Sequence, residues 1–368
     1  MSGLSSFKAF VEAVRDRSDL VEIIGRDVEL RRVGAVLKGL SPFHPEKHAS
    51  FVVWPATQSW HDYSNGGGLG GDVFTYVQER EKLGFKDAVF LLADRAGIRP
   101  PNQSDAEWKR ALALANERRE IERLLTVAAT YYHRALPPEI RDQYFKQHYG
   151  FTDDTIDQLQ LGWADGRLFD HLMSTVGATR RKLLGTGLFV PLQGGRVVDF
   201  FRNRLVFPYW RGGRVVYFTA RATEHTGNEP WEQAKYKKLR VHAEQQRYIS
   251  PTVRNDYFFN EDAVRGADEL VITEGVPDCI SALQCGVACI SPGTTSLRDQ
   301  DVPRLLELTR HAKRFILCND SEASGAGDAS ATAIAASLWA EGREVCIASI
   351  PRPDGVDKID LNELVVAR

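Results

Sequence analysis

No apolar run in this chain approaches the roughly 18 residues that a membrane-spanning helix needs. The first residues, Met1-Ser-Gly-Leu-Ser-Ser-Phe-Lys8, have neither an apolar stretch nor a small-residue cleavage site, so no secretion is expected. Cysteine is scarce: five in 368 residues, at 279, 285, 289, 318 and 346, none in the paired spacing of a metal knuckle. Cys289, Cys318 and Cys346 fall in apolar runs, which reads as buried, reduced thiols in a cytoplasmic protein. There is no Gly-x-x-x-x-Gly-Lys-Ser/Thr, which excludes a P-loop helicase within the sequence. Net charge is nearly absent, −2 overall, so the composition as a whole does not advertise nucleic acid.

What is there suffices for two or three domains, with apolar (43%) and charged (26%) fractions ordinary for a globular protein. Residues 1–100 read as a small mixed domain. Phe7, Phe10, Val11 and Val14 share one helix face, and Ser18 is placed to cap a second helix that stops at Gly25. A hairpin over Val28–Leu30 and Val36–Leu40 and strands at Phe51–Trp54 and Trp60–Tyr63 follow. After the glycine-rich loop from Asn65, Asp72 caps a helix, and Phe85, Ala88, Val89 and Leu92 mark another. Residues 101–136 are a linker and charged helix between proline breaks. Residues 137–260 mix helix and strand, with strand-like runs at Lys182–Phe189, Val197–Pro208 and Arg214–Thr219.

From 261 to 368 the pattern is βαβα. Strands are expected at Leu270–Thr273, Ala288–Ile290, Phe315–Cys318 and Val345–Ile350, with helices near 277–285, 301–312 and 327–341. Connections of this length imply a parallel sheet, whose ligands bind beyond the carboxyl ends of its strands. Glu274 follows the first strand and Asp278 lies one helical turn on. Asp320 and Glu322 follow the third, and Asp357 and Asp360 the fourth. So many carboxylates on one edge need cations. Oxygen ligands of this kind suit Mg²⁺ or Mn²⁺ and phosphoryl transfer.

A basic stretch precedes them. Between Arg196 and Arg254 there are 12 Lys and Arg against 5 Asp and Glu, an excess that the overall balance hides. It contains Phe201-Arg202-Asn203-Arg204-Leu-Val-Phe-Pro208, a strand ending Thr219-Ala-Arg221, and Lys235-Tyr236-Lys237-Lys238.

Glu-Gly after a strand, then Asp-x-Glu followed by Ala-x-Gly, resembles the TOPRIM fold of bacterial-type primases, topoisomerases and some nucleases; the commoner second motif is Asp-x-Asp. With the basic stretch upstream, the order resembles the DnaG-type primase family. The resemblance implies an α/β, multi-domain α+β chain. A TOPRIM parallel sheet with flanking helices would follow a mixed basic subdomain and a small zinc-ribbon-like domain. It implies Glu274, Asp278, Asp320 and Glu322 as the catalytic acidic cluster, with the tail acids Asp357 and Asp360 as further metal ligands. It also implies Arg202, Asn203, Arg204, Arg221, Lys235, Tyr236, Lys237 and Lys238 facing template and nucleotide phosphates.

In the ribbon of that family the ligands are Cys-Pro-x-His and Cys-x-x-Cys. Here those positions read Ser41, His44, Asp62 and Asn65. Three thiolates are gone, so no structural zinc is expected. Trp54, Trp60, Phe43, Phe51 and Tyr63 are available to replace its folding energy by packing. Lys38, Lys47, His48 and Trp60 are available to contact single-stranded DNA.

The activity implied is DNA-templated synthesis of short RNA primers from nucleoside triphosphates on single-stranded DNA. It would occur in the cytoplasm at the replication fork, with a helicase as a separate chain. The lost thiolates, and a sequence that ends soon after its last acidic motif, suggest a phage or mobile-element protein. Two other classes fit the acids alone: a TOPRIM nuclease or topoisomerase, and a non-catalytic replication or recombination DNA-binding protein.

Overall fold

The computed structural model describes residues 7–44, 46–64, 68–100, 105–211, 213–264, 267–292, 297–309, 312–323 and 326–367. The chain divides into two compact units, Met1–Glu117 and Arg118–Arg368.

In the first unit five strands pair antiparallel in sequence order: β1 Arg31–Val33, β2 Val36–Gly39, β3 Phe51–Trp54, β4 Ser59–Asp62 and β5 Leu69–Gly71. The helix Phe7–Asp16 buries Phe10, Val11 and Val14, three of the four residues on the expected face. The next helix, Leu20–Ile24, is capped by Asp19 rather than Ser18. Its carboxylate accepts from the Glu22 N–H at 2.9 Å and adds a negative charge where the helix dipole favours one. The hairpin's first strand lies three residues later than expected. Pairing grows outward from the two-residue turn, where Gly34 has φ +64° and Val33 faces Val36, so Val28 is left to the core. Asp72 caps the helix Val73–Glu81 through the N–H groups of Phe74 and Thr75, as its position predicts.

The second unit carries two larger sheets. Its strands begin with β6 Gly162–Ala164, β7 Phe189–Pro191 and β8 Val197–Asp199, followed by β9 Arg204–Arg211, β10 Arg214–Ala222 and β11 Tyr236–Lys238. The order β11-β10-β9-β6 makes an antiparallel sheet, and β7 pairs with β8 in a small hairpin. The expected strand Lys182–Phe189 is mostly a helix, Arg180–Gly185, capped by the Thr179 hydroxyl. A short apolar run is compatible with either period. The run Val197–Pro208 is cut in two at Phe200–Asn203, where Asn203 takes φ +51°.

The remaining strands are β12 Phe258–Phe259, β13 Glu269–Thr273, β14 Cys289–Pro292, β15 Arg314–Cys318, β16 Ser321–Glu322, β17 Glu344–Ile347 and β18 Lys358–Ile359. The sheet order is β12-β14-β13-β15-β17. The four expected strands form and pair parallel; β12, which the pattern did not reveal, closes one edge antiparallel. Helices Val276–Gln284, Val302–Leu308 and Ala326–Ala340 make the connections, with Pro277 in the first turn of its helix. One continuous apolar core joins the two sheets: Val276, Cys279 and Ile280 share a cluster with Phe207, Tyr209 and Phe218. Among the described residues no helix is long and apolar enough to cross a membrane.

Candidate active site

Parallel pairing of β13 with β15 brings Thr273 opposite Cys318, so the residues that follow each strand emerge together. Glu274, Asp278, Asp320 and Asp360 line one cavity of about 300 Å³. Burial, with Asp320 nearby, holds the Glu274 carboxyl above its usual range. Burial does the same for Asp320, against the opposing pull of Lys358. Asp278, in the first turn of its helix, is 5% exposed, and burial followed by repulsion from Asp360 pushes its carboxyl well up. The Asn362 N–H donates to it at 2.9 Å.

Glu322 arrives by a different route. The short ladder of β16 with β18 places Glu322 opposite Lys358. The Lys358 ammonium lies 2.6 Å from Glu322 Oε1 and 2.7 Å from Asp320 Oδ2. Among the described residues no three His, Cys, Asp or Glu side chains converge on a point that could hold a metal ion. The cation between these two acids is a lysine. The donor set itself suits a hard divalent ion: carboxylate oxygens only, with Glu274 raised in pKa by burial and the Asp320 charge, and Asp320 by burial and the Asp360 and Glu322 charges.

The tail acids divide. Asp360 lines the cavity but also caps the helix Leu361–Val366, accepting from the Glu363 N–H at 2.7 Å while Glu363 reaches back to the Asp360 N–H. Asp357 is exposed and is not among the residues lining the cavity. Asn362 is a residue that sequence reasoning passed over. It is 4% exposed, and its amide donates to the Tyr149 carbonyl and to Ser281 Oγ, both at 2.8 Å. The only signal for it in the sequence is its place between the acids of Asp360-Leu-Asn362-Glu363.

The basic residues are sorted by strand alternation. In the β10–β11 ladder, Thr219 faces Lys238 and Arg221 faces Tyr236; all four line the acidic cavity, as does Lys235. Arg221 stands 4.9 Å over the Tyr149 ring, with His148 Nε2 3.1 Å from its guanidinium. Lys237 points to the other face.

There Arg204 corrects an expectation. Its side chain is fully buried and bound to the Glu232 carboxylate (3.2 Å) and the Ala234 carbonyl (2.9 Å), so it holds a loop and has no face for phosphate. Lys237 Nζ lies 2.7 Å from the same Glu232. Arg202 is also on that side, 3.6 Å from Glu232. Asn203, exposed at its positive φ, does not line the acidic cavity.

In the first unit two of the four ribbon ligand positions, Ser41 and Asp62, are bonded to each other. Ser41 Oγ donates to Asp62 Oδ2 at 2.6 Å and accepts from the N–H groups of Phe43 and His44. Ser50 Oγ donates to Glu46 Oε2 at 2.6 Å, and Glu46 Oε1 accepts from the Ser41 N–H. Asp62 is 2% exposed; burial raises its pKa, but the hydrogen bonds from Ser41 and Ser64 outweigh it and the net shift is downward. Asn65 lies outside the described residues. Of the aromatics expected to pack here, Phe43, Phe51 and Trp60 do so and enlist Tyr76, with centroids 5.3–6.2 Å apart. Tyr63 is exposed and stacks on His61. Trp60 is 2% exposed, which removes it as a stacking platform for DNA.

Three family models match in the order the sequence suggests. They are a CHC2 zinc finger over residues 6–108, the N-terminal domain of the DNA primase catalytic core over 131–240, and a Toprim-like domain over 271–365. The DNA primase of Halalkalibacterium halodurans is 30% identical over 362 residues, covering 95% of this chain and 56% of the relative. The chain thus spans little more than half the length of the curated relatives it matches. The zinc-binding and RNA polymerase domains of the Aquifex aeolicus primase share the fold. They align over 99% of this chain and 82% of that one at 20% identity and TM-score 0.55. A DnaG primase catalytic domain bound to single-stranded DNA aligns over 68% of this chain and 78% of that one, at 21% identity and TM-score 0.52. With ribbon, basic half and TOPRIM sheet in register, the chain belongs to the DnaG-type primase family.

Proposed function

We propose that the chain is a DNA primase, joining ribonucleotides into short primers on a single-stranded DNA template. The observation that carries this is one cavity shared by carboxylates and fixed cations: Glu274, Asp278 and Asp320 on one wall, Arg221, Lys235 and Lys238 on the other. Glu274, Asp320 and, once Lys358 gives way, Glu322 would hold Mg²⁺ or Mn²⁺, which would supply charge neutralisation for phosphate. Arg221 presents a planar fork to phosphate, braced by Tyr149, and Lys235 and Lys238 add point charges. Buried Asp278, fixed by the Asn362 N–H, positions the helix start beneath the metal-binding acids.

The same reading assigns template and nucleoside triphosphates as ligands. It adds a helicase acting from a separate chain and a place at the replication fork. It also assigns no zinc to the ribbon, supported by the Ser41–Asp62 hydrogen bond that joins two of the four ligand positions. Incubation with single-stranded DNA, labelled nucleoside triphosphates and Mg²⁺ or Mn²⁺ tests the activity. Short RNA made by the native protein and lost in Glu274→Gln supports it; nicked DNA without synthesis, or binding without either, overturns it. Stoichiometric zinc in the purified protein overturns the ribbon assignment.

A further inference from the structure

The alternation that sends Lys237 away from the acids leads to a second cavity, of about 640 Å³, on the opposite face of the sheet. Its lining includes Arg196, Phe200, Arg202, Trp231 and Arg240. Three acids also face it, but two are already engaged. Glu232, 4% exposed, is held by Arg204 and Lys237. Asp199 accepts from the Leu168 and Phe169 N–H groups at 2.7 and 3.0 Å. Glu229 alone is exposed. Arg196, Arg202, Lys237 and Arg240 against Asp199, Glu229 and Glu232, four cations to three carboxylates, leave the lining with a small positive excess, with Arg202 itself 3.6 Å from Glu232.

It also carries aromatic rings. Trp231 is 67% exposed, a large apolar surface left in water. The next residue, Glu232, is tied down by Arg204 and Lys237, which anchors the chain beside Trp231. Phe200 forms part of the lining, with Lys237 Nζ 5.0 Å and the Arg240 guanidinium 5.6 Å from its ring centroid. One exposed ring, Trp231, and one half-buried ring, Phe200, beside arginines suit a planar base joined to phosphate. An acidic peptide satisfies the arginines but gives the rings no planar partner.

We propose that this cavity binds a nucleotide unit, its base against Trp231 or Phe200 and its phosphate on Arg196 and Arg202, at a site separate from the acidic cavity. The unit comes either from a single strand or from free nucleoside triphosphate.

The test uses the full chain in EDTA, so that binding is read without synthesis or cleavage. Anisotropy of a labelled oligo-dT and equilibrium dialysis of ATP are compared for native protein, Trp231→Ala and the double variant Arg196→Gln/Arg202→Gln. If the strand is the occupant, Trp231→Ala weakens oligo-dT binding about tenfold, and the double variant lowers the slope of log affinity against log salt by about one to two. Loss of ATP binding in both variants with oligo-dT binding intact supports the site with free nucleotide as its occupant. Unchanged affinity for both probes and an unchanged salt slope overturn the proposal. If a variant unfolds, photo-cross-linking of bromodeoxyuridine-substituted DNA to native protein decides: adducts on the Trp231 or Phe200 peptides support the site, and adducts confined to the Arg221 and Lys235 peptides overturn it.

Discussion

Lys358 and Asp320 meet across the strand pair β16–β18, ammonium to carboxylate at 2.7 Å, and the same ammonium reaches Glu322. The space between two catalytic-type acids is thus filled by the protein's own cation. A divalent ion that uses both acids must displace it. Replacing Lys358 by Met is expected to tighten Mn²⁺ binding severalfold in calorimetric titration. In chelator the variant should lose on the order of 1 kcal/mol of stability, a modest figure because the lysine is half exposed. Added Mg²⁺ should restore more of the variant's melting temperature than of the native protein's.

Gly275 has no room for a side chain. A Cβ there would lie 2.5 Å from Asp278 Oδ2. Gly275→Ala is therefore expected to destabilise the protein by about 1–3 kcal/mol in urea unfolding. It should also cost primer synthesis more than melting alone explains, since Asp278 must move.

Asn362→Ala leaves the Tyr149 carbonyl and Ser281 hydroxyl without their buried donor. The expected loss is roughly 1–3 kcal/mol for each acceptor left unsatisfied, measured by denaturant titration. An unchanged unfolding midpoint would show that these bonds contribute nothing net.

Glu232→Gln tests the structural assignment of Arg204. It strands two buried cations, so a loss of about 3–5 kcal/mol is expected. Replacing Arg204 and Glu232 together by apolar residues should recover part of that loss. If Glu232→Gln melts like the native protein, Arg204 is not held by this pair.

The ribbon's hydrogen-bond network carries a pH signature. Asp62 and Glu46 both have folded pKa values below their ordinary 3.8 and 4.5; for each, hydrogen bonds from serines and backbone outweigh burial. A depressed carboxylate stabilises fully above its unfolded pKa and loses that contribution as pH falls through its folded one. The stability difference between native protein and Asp62→Asn should be constant above about pH 5 and shrink below pH 4. A difference that grows on acidification would contradict the network.

Legibility from sequence followed the strength of the local pattern. The parallel strands and their terminal acids were readable because an apolar run that ends in a carboxylate carries both its period and its edge. Arg204 was misread because a basic residue inside an apolar strand looks the same whether it faces phosphate or a buried partner; Glu232 lies far along the chain and pairs only once folded. Lys358 was passed over because its role depends on the β16–β18 ladder, two residues long and without a pattern of its own. The division of Tyr236 and Lys238 from Lys237 follows from the period of two of a strand, which the charge of the run does not carry. Ser41 and Asp62 signalled a lost ligand set; that they bond to each other depends on a contact across 21 residues.

The apolar cluster that joins Val276, Cys279 and Ile280 to Phe207 and Tyr209 has a mechanical consequence. The two walls of the acidic cavity are sides of one block and not jaws on a hinge. The gap between Arg221 and Glu274 is set when the chain folds, so side-chain swings, Lys358 foremost, are the adjustable parts of an otherwise fixed gauge.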